Sequence, residues 1–388
     1  TRQDAIFKAH AWANATGNPL KFAANWWNNV SRLLADTPFS YRHQEGFWQF
    51  GVPNTLLLVF VLPGLVWIFR RGGPGAARPI AVPIEYAGGA RAGGPASRGR
   101  RVGRVGGRMG ITVTPSGQVC GASVTGVDLT GELDAATVAE LRAAWLEHHV
   151  LAFPDQPMSD DDLERFTLCF GPFGEDPFIA PIPGREHVIA VQRAADETSR
   201  IFADGWHTDW SFQRTPPAGT CLFAITVPPV GGDTLFIDQH AALEAMPADL
   251  RERLEGRMAI HSAEVAYAPD GMFGEADRAG GRSMDIRPSE EARATQLHPI
   301  IRPHPETGRA GLFGTLGYVR GFDGRDPEES NALLLELYQW QTRPEFQYRH
   351  HWEPQMLLMW DNRSVLHAAT GGYEGHARLR HRTTLGAA

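Results

Sequence analysis

The pattern of apolar and polar positions changes character near residue 109, and downstream of it the chain reads as short structured segments. ITVTP at 111–115 and VCGASVTGVDL at 119–129 have the length and Gly punctuation of short strands. DAATVAELRAAWLEHHVLAF, at 134–153, predicts an amphipathic helix running into a buried strand. Ser159, followed by three aspartates, predicts a capped helix over 160–170. Beyond Pro181, short β-rich runs alternate with Gly and Pro turns and are interrupted by helical stretches at 242–256 and 329–342. This spacing predicts an α+β, mainly β domain of barrel or sandwich type over residues 109–388.

Upstream the pattern is different. VPNTLLLVFVLPGLVWIF, at 52–69, is 18 residues without a charge and is closed by Arg70 and Arg71. That is long enough for a transmembrane helix, and it also fits a buried core helix. It belongs to an N-terminal helical segment over 1–71, in which Trp26, Trp27, Trp48 and Phe50 could supply interfacial aromatics. Residues 72–108 are rich in Gly, Arg, Pro and Ala, without apolar periodicity, and predict a disordered linker. Two expectations follow. Either the basic flank keeps a tethered catalytic domain cytoplasmic by the positive-inside rule, or Met109 is the start of a stand-alone cytoplasmic protein; nothing downstream requires the front piece, which favours the second.

Composition sharpens this division. Residues 1–108 carry 14 Arg/Lys against 4 Asp/Glu, and the remainder carries 23 against 40, so a total of −7 hides parts of +10 and −17. An acidic main domain argues against a nucleic-acid partner. Three cysteines, Cys120, Cys169 and Cys221, without a C-x-x-C pair exclude a disulfide scaffold and a zinc ribbon and fit a reducing compartment.

The candidate chemistry lies in two distant places. In Trp206-His207-Thr208-Asp209, a strand would turn His207 and Asp209 to one face. H-x-D alone is weak in a chain with 15 His. A second cluster, WDNRSVLH ending at His367, offers a further imidazole, and the three together would form a 2-His-1-carboxylate facial triad for Fe(II). Arg378 and Arg382 follow, and a planar guanidinium is a natural bidentate partner for a carboxylate near a metal.

With these residues in place, the sequence over about 110–386 resembles the Fe(II)/2-oxoglutarate-dependent taurine dioxygenase and phenoxyacetate dioxygenase family. The resemblance runs through ordered blocks: VTGVDL, HHVLAFPDQ, FGPFGE, WHTDWSFQRTPPAG, VGGDTLFID, LHPIIRPHPETGRAGLF and WDNRSVLHAATGGYEGHARLRHRTTL. It implies a double-stranded β-helix (jelly roll) with flanking helices, and a homo-oligomer. It implies that His207, Asp209 and His367 bind Fe(II), that Arg378 and Thr234 hold 2-oxoglutarate, and that Arg382 holds the anionic head of the prime substrate. The implied reaction consumes O2 and 2-oxoglutarate, yields succinate and CO2, and hydroxylates a substrate C–H. Asp209 stands where related halogenases keep a small residue, which points to hydroxylation.

Departures from the taurine pattern concern the prime substrate. Asp176 and Ile179 stand where the taurine enzymes carry a His and a Tyr, and Ala203 stands for an Asn. The expected substrate is therefore a larger, more hydrophobic anion than taurine: a sulfonate, a sulfate ester or an aryloxy carboxylate. Tyr318 and Phe178 are candidates for the pocket wall, with core packing an equal role. His148, His149, His298, His304, His350 and His351 are expected to be structural, since adjacent histidines on a strand face opposite ways. The alternative to an enzyme is a catalytically silent metal-binding or regulatory jelly-roll protein; Thr234 and Arg378 argue against it, because a binding module has no use for a co-substrate clamp.

Overall fold

A computed structural model describes residues 110–387. The stretch 52–69, the linker 72–108 and the reading of Met109 lie outside the described residues. The elements begin with β1 (Thr112–Pro115), β2 (Ala122–Thr125), α1 (Ala135–His148), β3 (Val150–Phe153), α2 (Asp160–Leu168), β4 (Ile189–Arg193), β5 (Gly219–Thr226), β6 (Thr234–Asp238), α3 (Gln239–Glu244) and α4 (Ala248–Leu254). They continue with β7 (Met258–Ser262), α5 (Glu264–Tyr267), α6 (Glu275–Ala279), β8 (Thr295–Pro299), β9 (Ile301–Pro303), β10 (Ala310–Leu312), β11 (Val319–Phe322), α7 (Pro327–Gln341), β12 (Gln347–His350), β13 (Leu357–Asp361), β14 (Val365–Ala369) and β15 (Arg378–Leu385). Among the described residues no helix is long and apolar enough to cross a membrane.

Local chemistry accounts for the ends of the helices. The Asp134 side chain accepts from the Thr137 amide at 2.8 Å to start α1, and His149, at φ 65°, closes it through a 2.8 Å bond to the Trp145 carbonyl. Ser159 and Asp162 form a reciprocal capping box at α2. That helix stops at Leu168, short of the expected residue 170, because Cys169 and Phe170 turn to i−3 carbonyls. The helix expected over 242–256 is two helices. Pro247, at φ −54° and ψ 138°, breaks it, since proline supplies no amide and disfavours helical backbone before it.

A seven-stranded sheet in the order β1-β2-β3-β13-β5-β15-β4 is antiparallel except for the β2–β3 pair. A three-stranded sheet, β12-β6-β14, faces it, and two smaller sheets, β11-β7-β8 and β10-β9, extend the second layer. Side-chain alternation shows the layering. From β13, Leu357 and Met359 pack with Leu141, Trp145 and Phe166 of α1 and α2 on the outer face. Leu358 and Trp360 instead join Leu222, Phe236 and Tyr348 between the two sheets. The outside of the small sheet is covered by Leu243, Leu250, Leu333 and Leu337 of α3, α4 and α7, packed on Ile237 and Leu366.

Candidate active site

The turn Asn362–Ser364 carries the chain from β13 of the large sheet into β14 of the small one. There His367 pairs with His207 by two backbone hydrogen bonds, His207 N–H to His367 O at 3.0 Å and His367 N–H to His207 O at 2.7 Å. His207 lies on this isolated bridge, not on a strand, and Asp209 begins a turn in which Trp210 is left-handed at φ 48°. The expected strand alternation is therefore corrected: a single bridge and a strained turn bring Asp209 to the imidazoles.

The three side chains converge. Asp209 Oδ1 is 3.7 Å from Nε2 of His207 and 3.7 Å from Nε2 of His367, and the imidazole rings lie 4.2 Å apart. Potential ligand atoms on the three residues lie within 4.8 Å of one another, and all three are buried. His207 Nδ1 lies 2.8 Å from the Gly205 carbonyl, a contact that orients the ring with Nε2 toward Asp209. Burial, reinforced by His207, pushes His367 down to about 3, so it is a neutral donor at ordinary pH. Burial opposes ionisation of Asp209, but Arg382 and the two imidazoles prevail and hold it well below the usual carboxylate range. Two imidazoles and one carboxylate, with one side left open, suit a divalent transition metal.

A hydrogen-bonded chain orients the carboxylate. Trp360 Nε1 donates to Asn362 Oδ1 at 3.0 Å, Asn362 Nδ2 donates to Thr220 Oγ1 at 2.9 Å, and Thr220 Oγ1 donates to Asp209 Oδ2 at 2.7 Å. Oδ1 is left facing the imidazoles. Thr220 lies outside every motif read from the sequence, and Asn362 lies inside WDNRSVLH without this role being legible there.

Two cavities share His207, Phe202 and Ala203 as lining. One is also lined by Thr234, Arg378, Arg380 and Arg382. Arg378 is buried, makes no ion pair among the described residues, and has Nε and Nη1 without partners. An unpartnered buried guanidinium lining a cavity fits a carboxylate ligand. Thr234 Oγ1 accepts from Trp352 Nε1 at 3.0 Å, which leaves its hydroxyl proton free to donate. Arg380 was missed by the sequence reasoning, although two-residue alternation along β15 sets it on the same face as Arg378 and Arg382. It stacks 3.9 Å over the Trp352 ring and donates to the Gly232 carbonyl at 3.0 Å.

The second cavity is lined by Phe202, Ala203, Ala266, Tyr267, Phe273 and Tyr318, together with the ion-paired Arg200 and Asp204. Tyr318 stands edge-on to His207, at 6.1 Å between rings. Phe178 does not line this cavity; it stacks behind Tyr267 at 5.0 Å. Arg382 ion-pairs with Asp176, with its Nη1 3.6 Å from Asp209 Oδ1. Among the histidines expected to be structural, His304 holds Asp361 at 3.0 Å, His149 and His350 are buried, and none joins a metal-competent cluster among the described residues.

A buried His/Asp/His face beside a guanidinium-lined cavity defines a mononuclear non-haem metal oxygenase that uses a carboxylate co-substrate. The sequence profile of the taurine catabolism dioxygenase TauD, TfdA family matches residues 112–384, and the chain belongs to that family. It is 35% identical over 298 residues to the alpha-ketoglutarate-dependent 2,4-dichlorophenoxyacetate dioxygenase of Cupriavidus pinatubonensis, covering 71% of this chain and 98% of the relative. It is 33% identical over 261 residues to the (S)-phenoxypropionate/alpha-ketoglutarate-dioxygenase of Sphingobium herbicidovorans, covering 66% of this chain and 88% of the relative. The crystal structure of a taurine dioxygenase from Burkholderia xenovorans superposes with a TM-score of 0.59 at 32% identity, covering 72% of this chain and 90% of that one. The chain is an Fe(II)- and 2-oxoglutarate-dependent dioxygenase.

Proposed function

We propose that the protein hydroxylates a C–H bond of a small organic anion with a largely apolar body, the substrate class named for its relatives. The observation that carries the reading is the junction of two cavities at His207, one lined by guanidinium groups and one by aromatic rings. His207, Asp209 and His367 hold the iron through two Nε2 atoms and Oδ1. Arg378 and Thr234 take the distal carboxylate of 2-oxoglutarate, the first by charge and the second by its free hydroxyl proton. Bound iron and 2-oxoglutarate supply O2 activation, with succinate and CO2 as by-products. Trp360, Asn362 and Thr220 hold the metal-facing carboxylate oxygen in place, while Tyr318, Tyr267 and Phe273 exclude water and orient the substrate body. The facing large and small sheets form the double-stranded β-helix of this reading. Three free thiols support a cytoplasmic setting for the catalytic unit, which acts as a homo-oligomer.

The test is aerobic turnover with Fe(II) and 2-oxoglutarate against sulfonates, sulfate esters and aryloxy carboxylates. Succinate and hydroxylated product should form in equal amounts, with aromatic or long-chain anions ahead of taurine. Taurine ranking first would overturn the substrate reading.

A further inference from the structure

Arg382 is not a free cation. Its Nη2 donates to Asp176 Oδ1; Trp210 Nε1 donates to the same oxygen at 2.9 Å, and the Thr384 hydroxyl lies 3.0 Å from both carboxylate oxygens. The pair is nearly closed to water, with 5% and 9% of the two side chains exposed. On the other side, Nη1 lies 3.6 Å from Asp209 Oδ1. One guanidinium therefore faces two carboxylates, and only its Nε lacks any partner. Arg378 and Arg380, on the same strand face, have no ion-pair partner among the described residues. Uncompensated positive charge thus belongs to Arg378 and Arg380, while Arg382, which lines the same cavity, is neutralised from within.

An anionic head arriving at Arg382 finds one prong of the fork taken, so the bidentate geometry that makes guanidinium a strong anion receptor is lost. It also sits in the field of the Asp176 carboxylate, in a dry setting where like charges repel strongly. Because Asp176 has its acceptors filled by Arg382, Trp210 and Thr384, it is held as part of the wall.

We propose that Asp176 is a specificity-determining residue that attenuates the anion clamp. The substrate is a singly charged organic acid selected by a bulky aromatic or branched body, and a neutral isostere of the head is accepted nearly as well. This rests on the functional reading above.

The test compares 4-chlorophenoxyacetate with its carboxamide, titrated calorimetrically and anaerobically into the Fe(II)- and 2-oxoglutarate-loaded protein. In the wild type the two affinities should agree within about fivefold, and Asp176→Asn should tighten the acid by about tenfold or more while moving the amide less than about twofold. A wild-type preference for the acid of about 100-fold or more, or an unchanged ratio in the variant, overturns the proposal. The wild-type comparison decides alone if the variant does not fold. Failure of both compounds to bind while 2-oxoglutarate binds also overturns it, whereas failure of 2-oxoglutarate to bind the iron-loaded protein overturns the functional reading beneath it.

Discussion

Replacing Thr220 by Val keeps the shape of a fully buried side chain and removes one hydroxyl. That hydroxyl is the bond the structure gives to Asp209 Oδ2, at 2.7 Å, and it also receives Asn362 Nδ2 at 2.9 Å. The substitution strands a carboxylate oxygen and an amide N–H in a site where no water replaces them. Each stranded group costs about 1–3 kcal/mol, so the metal-free protein should lose about 2–6 kcal/mol. Without its anchor, Asp209 turns away from the imidazoles, and loss of such an outer partner weakens metal binding by about 10–100-fold, or about 1.4–2.8 kcal/mol. Urea unfolding gives the first quantity, and calorimetric titration with Mn(II) or Fe(II) under anaerobic conditions gives the second. Thr220→Ser should restore most of both. Metal affinity within twofold of the wild type, alongside a clear stability loss, would show that the chain Trp360–Asn362–Thr220 supports the fold and does not aim the ligand.

Three further outcomes are expected. Arg380→Met removes a buried, uncompensated cation, so 2-oxoglutarate affinity should fall about tenfold in titration while the unfolding midpoint stays level or rises. Gly317→Ala places a Cβ 2.7 Å from the Trp206 carbonyl and 3.1 Å from His207 Cβ; the displaced imidazole should weaken metal binding, read in the same titration, with about 1–3 kcal/mol of overpacking strain. Burial lowers His149 to about 4 and His261 and His350 to about 3. Since these histidines take up protons at higher pH when unfolded than when folded, stability is complete above about pH 6.5 and falls as pH drops toward 4, by up to about 1.4 kcal/mol per unit for each histidine. Urea midpoints at pH 6.5, 5.5 and 4.5 check this, and a flat profile would contradict it.

Much of the site was legible because its chemistry lies in residue types that are rarely placed together by accident. H-x-D and a distant His pointed to a metal face, and the family resemblance supplied the expected roles of Arg378 at the co-substrate and Arg382 at the prime substrate. Arg380 was passed over because strand alternation was not applied there, although the period of two sets it between them on the same face. The same alternation misassigned 207–209, because one bridge and the left-handed Trp210 do there what a strand was expected to do. Thr220 and Asn362 could not be read, since they become neighbours only when β5 and β13 pair. The helix over 242–256 failed for a local reason, Pro247, that was visible in the sequence and outweighed by the apolar spacing around it. Asp176 was visible as a departure from the taurine pattern. That it grips Arg382 is tertiary information.

The central claim is that His207, Asp209 and His367 hold iron next to a 2-oxoglutarate seat at Arg378. The direct measurement is anaerobic visible absorption of the protein with Fe(II) and 2-oxoglutarate. A metal-to-ligand charge-transfer band should appear only when both are present, be absent in His207→Ala, and require more 2-oxoglutarate in Arg378→Met. No band in the wild-type protein, or an unchanged band in His207→Ala, would contradict the account.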